Sequence, residues 1–211
     1  VPLQLDPIEV RVLGSLLEKA VTTPEYYPLT LNALVNACNQ KSNRDPVVSY
    51  DEETVASALD RLREKGLSFE LTGGGNRVPK YGHRITEVMN LGRREEALLC
   101  VLMLRGSQTA GELRERSGRM HAFSDLAEVE SVLRRLIERE LVVLLPRQPG
   151  YKEPRYAHLL SGPVEAAAAP SETAVVSRQD RIGALEAEVA QLRQAVESLQ
   201  QQFADFRKQF D

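Results

Sequence analysis

The chain contains two imperfect copies of one pattern, and no other feature constrains its fold as much. Val55-Ala-Ser-Ala-Leu59-Asp-Arg-Leu62-Arg-Glu-Lys-Gly-Leu67 lies over Val129-Glu-Ser-Val-Leu133-Arg-Arg-Leu136-Ile-Glu-Arg-Glu-Leu141 without a gap, at an offset of 74. Pro79-Lys-Tyr-Gly-His83 lies over Pro154-Arg-Tyr-Ala-His158 at 75, and Thr30-Leu-Asn-Ala-Leu34 over Thr109-Ala-Gly-Glu-Leu113 at 79. Further upstream, Val12, Leu13, Leu16 and Leu17 match Leu98, Leu99, Leu102 and Met103 at 86. The drift in offset means that the first copy carries longer loops. A period of about 75–80 residues is too long for a solenoid unit and suits a small domain.

Each copy reads as three helices followed by a hairpin. In the first copy, a helix over 6–20 opens on Asp6, with Pro7 and Glu9 completing a start signal. A second helix over 30–38 is capped by Thr30. A third over 51–65 is capped by Asp51, stopped by Gly66, and striped with Val55, Ala58, Leu59 and Leu62. Strands follow near 67–72 and 78–85. The second copy predicts helices near 92–105, 109–117 and 125–139 and strands near 141–146 and 154–160. This order is that of a helix-turn-helix with an attached wing. The expected fold class is mainly α with small β-hairpins (α+β), as two tandem winged-helix domains followed by a C-terminal coiled-coil helix. Residues 1–88 form the first domain and 89–160 the second, each with its own core.

Composition changes after Leu160. Residues 161–177, rich in Ala, Pro and Ser, read as a flexible linker. Residues 178–211 then read as a coiled-coil helix. Ile182, Leu185, Val189, Leu192, Val196, Leu199, Phe203, Phe206 and Phe210 alternate spacings of 3 and 4 without a break. Ile and Val at a with Leu at d favour a parallel dimer. Arg181 faces Glu186 of a partner helix, and Glu188 faces Arg193, in the same register. The three phenylalanines suit a two-stranded seam poorly, so a helix packed on its own domain is the competing reading.

The strings Asn39-Gln-Lys-Ser-Asn-Arg-Asp-Pro-Val47, Val78-Pro-Lys-Tyr-Gly-His-Arg84 and Pro146-Arg-Gln-Pro-Gly-Tyr-Lys-Glu-Pro-Arg-Tyr-Ala-His158 resemble the YceH-like family. The resemblance covers about residues 4–160. It implies tandem winged-helix domains and a bacterial origin. It implies no activity and carries over no functional residue.

Charge narrows the candidate functions. With 27 basic and 30 acidic residues the chain is no polycation, so nucleic-acid contact must come from local patches. Residues 1–85 hold 10 basic and 11 acidic groups, and residues 86–160 hold 12 and 11, so each copy is near neutral. The third helix of the first copy begins with Asp51, Glu52 and Glu53, which would face phosphates. Arg134 and Arg135 make the second copy's third helix the better groove reader. The basic loops supply the candidate phosphate contacts: Lys41, Asn43 and Arg44; Arg77, Lys80 and Arg84 in the first wing; Arg147, Lys152 and Arg155 in the second. Ordinary solvated loops explain the same residues.

Catalytic motifs are absent from the sequence: Gly73-Gly-Gly lacks the Lys and Ser/Thr of a phosphate loop. Cys38 and Cys100 offer neither a disulfide framework nor zinc spacing, and no cofactor is expected. The longest apolar run, Ala97–Leu104, cannot span a bilayer, and no signal peptide is read at the start. The expected protein is a cytoplasmic, non-catalytic homodimer that contacts no membrane. It binds double-stranded DNA in regulation or chromosome maintenance or, alternatively, serves as a protein-interaction scaffold on the same fold.

Overall fold

Oxygen-bearing caps set most of the helix starts, and they recur at the repeat offsets. The computed structural model describes residues 4–73, 76–147 and 153–163, without the side chains of 76 and 77. Helix α1 (Pro7–Thr22) starts at Asp6, whose carboxylate accepts from the amides of Ile8 and Glu9. Helix α2 (Leu31–Cys38) starts at Thr30, and α3 (Glu52–Glu64) at Asp51. In the second copy α5 (Arg93–Arg105) is followed by α6 (Ala110–Arg116), capped by Thr109, and by α7 (Leu126–Glu138), capped by Asp125. Thr30 and Thr109 are counterparts, as are Asp51 and Asp125. An oxygen cap contributes about 1 kcal/mol to each start.

The hairpins repeat as well. Strand β1 (Leu29–Thr30), strand β2 (Ser68–Gly73) and strand β3 (Asn76–His83) form an antiparallel sheet in the order β1-β3-β2. Strands β4 (Val142–Leu144) and β5 (Tyr156–His158) form the second sheet. Leu29 pairs with Tyr81 in the first copy, and Gln108 bridges to Tyr156 in the second. The turn into each hairpin requires a left-handed residue, Gly66 (φ 71°) and then Glu140 (φ 54°). Glycine meets that requirement without strain, while Glu140 bears some cost. The third strand β1 and the short helix α4 (Ile85–Val88) are additions to the pattern read from the sequence. The second ladder is shorter than the 141–146 and 154–160 expected.

The two copies do not carry separate cores. Residues 1–166 form one compact unit, and a continuous buried cluster runs from Leu5 through Leu16, Leu59 and Leu99 to Leu136 and Leu160. The expected boundary near residue 88 falls at the end of α4, but no break in the core accompanies it. The joint is α1 against α5. The Cys100 thiol lies 3.5 Å from the Gly14 carbonyl, and these two residues are counterparts at the repeat offset of 86. A residue meeting its own counterpart marks a local twofold relation between the copies. Gly14 lets the helices approach closely there, since a Cβ would stand 3.0 Å from the Leu104 side chain and press it aside by a few tenths of an ångström. Burial on every side explains the unbroken apolar run of α5, which is buried from Glu96 to Leu104.

The linker and coiled-coil readings, including Ile182, Leu185, Val189, Leu192, Val196, Leu199, Phe203, Phe206 and Phe210, fall almost wholly on residues outside the described ones. Among the described residues, no helix is long and apolar enough to cross a membrane.

Candidate nucleic-acid interface

Arginines are the most numerous cations in the chain, but most of those in the first copy hold the fold together. On α3, Arg61 binds Asp6 at 2.9 Å, Arg63 binds Asp60 at 2.7 Å and Glu70 at 3.0 Å, and Lys65, just past its end, binds Glu9 at 2.6 Å. The exposed remainder of this helix is Glu52, Glu53, Ser57, Asp60 and Glu64. Such a face repels a phosphate backbone and fits the acidic start read from the sequence.

Arg44 is corrected as a phosphate contact. It is 5% exposed, with both guanidinium nitrogens on Glu18 at 2.7 and 3.3 Å. It also donates to the carbonyls of Ala37 and Asn43. Burial raises the Glu18 pKa, but the hydrogen bonds and charge of Arg44 outweigh it and hold the carboxyl below its usual range. Beside it, buried Arg11 donates to the carbonyls of Cys38 and Pro46. The two arginines therefore pin the 39–50 loop from beneath. Lys41 and Asn43 remain exposed on its outer side, and Asn43 accepts from Arg105 at 3.0 Å.

The wings contribute less than the sequence suggested. Lys80 is half-buried on β3, and Arg84 is exposed with its guanidinium 5.6 Å from the Phe69 ring centre. Arg77 lies on β3 with its side chain outside the described set, as is Lys152. Arg155 is held by Glu112 at 2.7 Å and the Ser107 carbonyl at 3.2 Å, which ties the second hairpin to α6. Arg147 is exposed and partnered.

Helix α7 differs from α3. Arg134 and Arg135 are exposed and make no hydrogen bond or ion pair among the described residues. Arg135 also lines an open cleft of about 400 Å³ with Arg93, Arg94 and His121. Arg94 binds Glu128 at 2.9 Å, and Glu95 is taken by Arg139 and by the Gly92 amide. The amide and hydroxyl of Ser124, with Arg94 and His121, hold the Glu128 carboxyl below its usual range. Arg93 has no hydrogen bond or ion pair among the described residues. Arg93 and Arg94 escaped sequence reasoning. The available signal was two arginines in the first turn of α5, where the helix dipole disfavours cations.

Among the described residues, no group of three or more His, Cys, Asp or Glu side chains could hold a metal ion. The arrangement supplies cations and hydrogen-bond donors, suited to binding an anion.

The fold and this surface define a mixed α/β protein of two helix-helix-helix-hairpin copies, and among the described residues Arg93, Arg134 and Arg135 of the second make no ion pair. The family model for a protein of unknown function, DUF480, matches residues 5–151. A UPF0502 protein of Solibacter usitatus is 59% identical over 95% of this chain and 98% of its own length. One of Geobacter sulfurreducens is 52% identical over 98% of each chain, and one of Citrifermentans bemidjiense is 63% identical over 75% of this chain and 74% of its own. The chain belongs to this DUF480/UPF0502 family of bacterial proteins.

Proposed function

We propose that the chain is a non-catalytic DNA-binding protein built of two winged-helix copies that share one core, acting in the cytoplasm in regulation or chromosome maintenance. The second copy makes the sequence-reading contact: α7 enters the major groove and presents Arg134 and Arg135, while Lys41, Lys80 and Arg84 meet phosphates. One observation carries this reading. Every cation of α3 is tied to a carboxylate, whereas Arg134 and Arg135 on the equivalent helix are free of ion pairs among the described residues. Side chains already holding a carboxylate must release it to bind phosphate, and unpaired ones need not.

Fluorescence anisotropy with a mixed-sequence duplex tests it across a salt series. Binding weakens steeply with salt, and each lost phosphate contact lowers the log–log slope by about 1. Arg134→Ala with Arg135→Ala is expected to cost about 1–3 kcal/mol for each base contact removed. An unchanged affinity would remove α7 from the interface. The acidic face of α3 favours a second reading, a scaffold docking a basic protein partner there. Absence of duplex binding at low salt, with retention of a basic partner lost in Glu52→Lys/Glu53→Lys, selects it.

The C-terminal heptads add a dimer to this proposal, since pairing two weak binding units raises avidity without new contacts. Sedimentation equilibrium is expected to give a dimer for the full chain and a monomer for Leu185→Ala/Leu192→Ala/Leu199→Ala. A monomeric full chain at micromolar concentration would refute the pairing.

A further inference from the structure

A cavity of about 40 Å³ opens where the two copies meet. Glu18 and Thr22 from α1, Asn43 from the 39–50 loop after α2, and Cys100, Val101, Leu104 and Arg105 from α5 line it, with Arg116, Arg119 and Met120 from the end of α6 and its turn. On this measure a water needs roughly 10–15 Å³, so the space takes about three water-sized groups. The floor is apolar and fixed, with Cys100 and Leu104 fully buried. The rim is cationic. Three guanidiniums reach it from two elements and a turn.

Their charges are incompletely answered. Glu18, the one carboxylate in the lining, is already bound by Arg44 at 2.7 Å and Lys19 at 3.3 Å. Glu112 is divided between Arg116 at 3.3 Å and Arg155 at 2.7 Å. Arg105 reaches only the neutral amide oxygen of Asn43. Burial and the guanidiniums of Arg116 and Arg44 disfavour its charge, and the opposing effect of Asp45 and Glu18 does not restore it. Arg119 is exposed and makes no hydrogen bond or ion pair among the described residues. Convergent cations with a shortage of carboxylates, on a preformed rigid floor, form an oxyanion receptor.

We propose that this cleft between the copies binds a phosphoryl group, held by Arg105, Arg116 and Arg119 with the Asn43 side-chain amide at its edge. The size of the space selects the phosphoryl head and leaves the rest of the ligand outside. The group belongs either to a small phosphorylated molecule or to a DNA backbone. Because the lining comes from both copies, occupancy ties α1 and its loop to α5 and the α6 turn.

Inorganic phosphate is the probe, titrated into the full chain against chloride at matched ionic strength, with calorimetry and thermal unfolding as readouts. Saturable binding and a raised Tm are expected, with affinity falling about tenfold or more in Arg119→Ala, a variant that breaks no side-chain hydrogen bond or ion pair among the described residues. Arg93→Ala, outside the cleft, is expected to bind phosphate as the parent does. A short duplex forms the second arm: Arg119→Ala weakening both probes identifies a backbone phosphate, and weakening phosphate alone identifies a small ligand. No saturable effect beyond chloride, or phosphate binding unchanged in Arg119→Ala, overturns the proposal. Duplex binding through Arg134 and Arg135 stands or falls separately.

Discussion

Arg44→Ala is expected to destabilise the protein by about 3–5 kcal/mol, the cost of leaving one partner of a buried ion pair behind. The guanidinium makes five hydrogen bonds, to Glu18, Ala37 and Asn43. Truncation leaves the Glu18 carboxylate with Lys19 as its remaining ion-pair partner. It also frees the 39–50 loop, whose Asp45 amide donates to the Leu104 carbonyl of the second copy at 2.9 Å. A typical domain is stable by only about 5–15 kcal/mol, so this single change removes much of the margin. Urea unfolding followed by circular dichroism measures it. Glu18→Leu alone is expected to be comparably damaging. Arg44→Met with Glu18→Leu is expected to recover most of the loss, because an apolar pair leaves no uncompensated charge. Additive losses in the double variant, or a loss below about 1 kcal/mol for Arg44→Ala, would show that the Arg44–Glu18 pair does not hold the loop in place.

The same residue shows where sequence reading stops. The repeat, the caps at Asp6, Thr30, Asp51, Thr109 and Asp125, and the hairpin turns were legible, because each depends on residues a few positions apart. The α1–α5 joint was not legible. It depends on Gly14 meeting Cys100, 86 positions away, and a lone glycine in a helix carries no local signal of its partner. Arg44 looked like a phosphate contact because Gln40-Lys-Ser-Asn-Arg44 is polar and free of acid. Its carboxylate was 26 residues upstream on α1, at Glu18. Arg155 misled for the same reason, with Glu112 lying 43 residues before it. Charge bookkeeping along a sequence counts cations correctly and cannot assign them. The exposure of Arg134 and Arg135 was legible because the helical period alone places them opposite Val129, Val132, Leu133 and Leu136, which are buried.

Acidification from pH 6.5 towards 4.5 is expected to remove about 2–3 kcal/mol of stability for each of two histidines. His83 and His158 are counterparts at the ends of β3 and β5, and the Nδ1 atom of each is buried without a hydrogen-bond partner among the described residues. Burial lowers both pKa values to about 4, because a charged imidazole there would be desolvated. In the unfolded chain both titrate near 6.5. Above that pH both states bind the same number of protons at these sites, and the fold keeps its full stability. Between about 6.5 and 4 the unfolded state binds more, so stability falls as pH falls. One unit of difference corresponds to about 1.4 kcal/mol, which gives the expected loss at pH 4.5. Carboxylates held below their usual range, such as Glu18 and Glu112, lose their contribution as pH falls further through their lowered pKa values. Urea unfolding of the parent and of His83→Gln/His158→Gln at several pH values between 8 and 4.5 separates the two effects. The double variant is expected to have a flatter profile across this window than the parent. If both profiles fall in parallel, the histidines are not the titrating groups and the acid sensitivity belongs to the carboxylates.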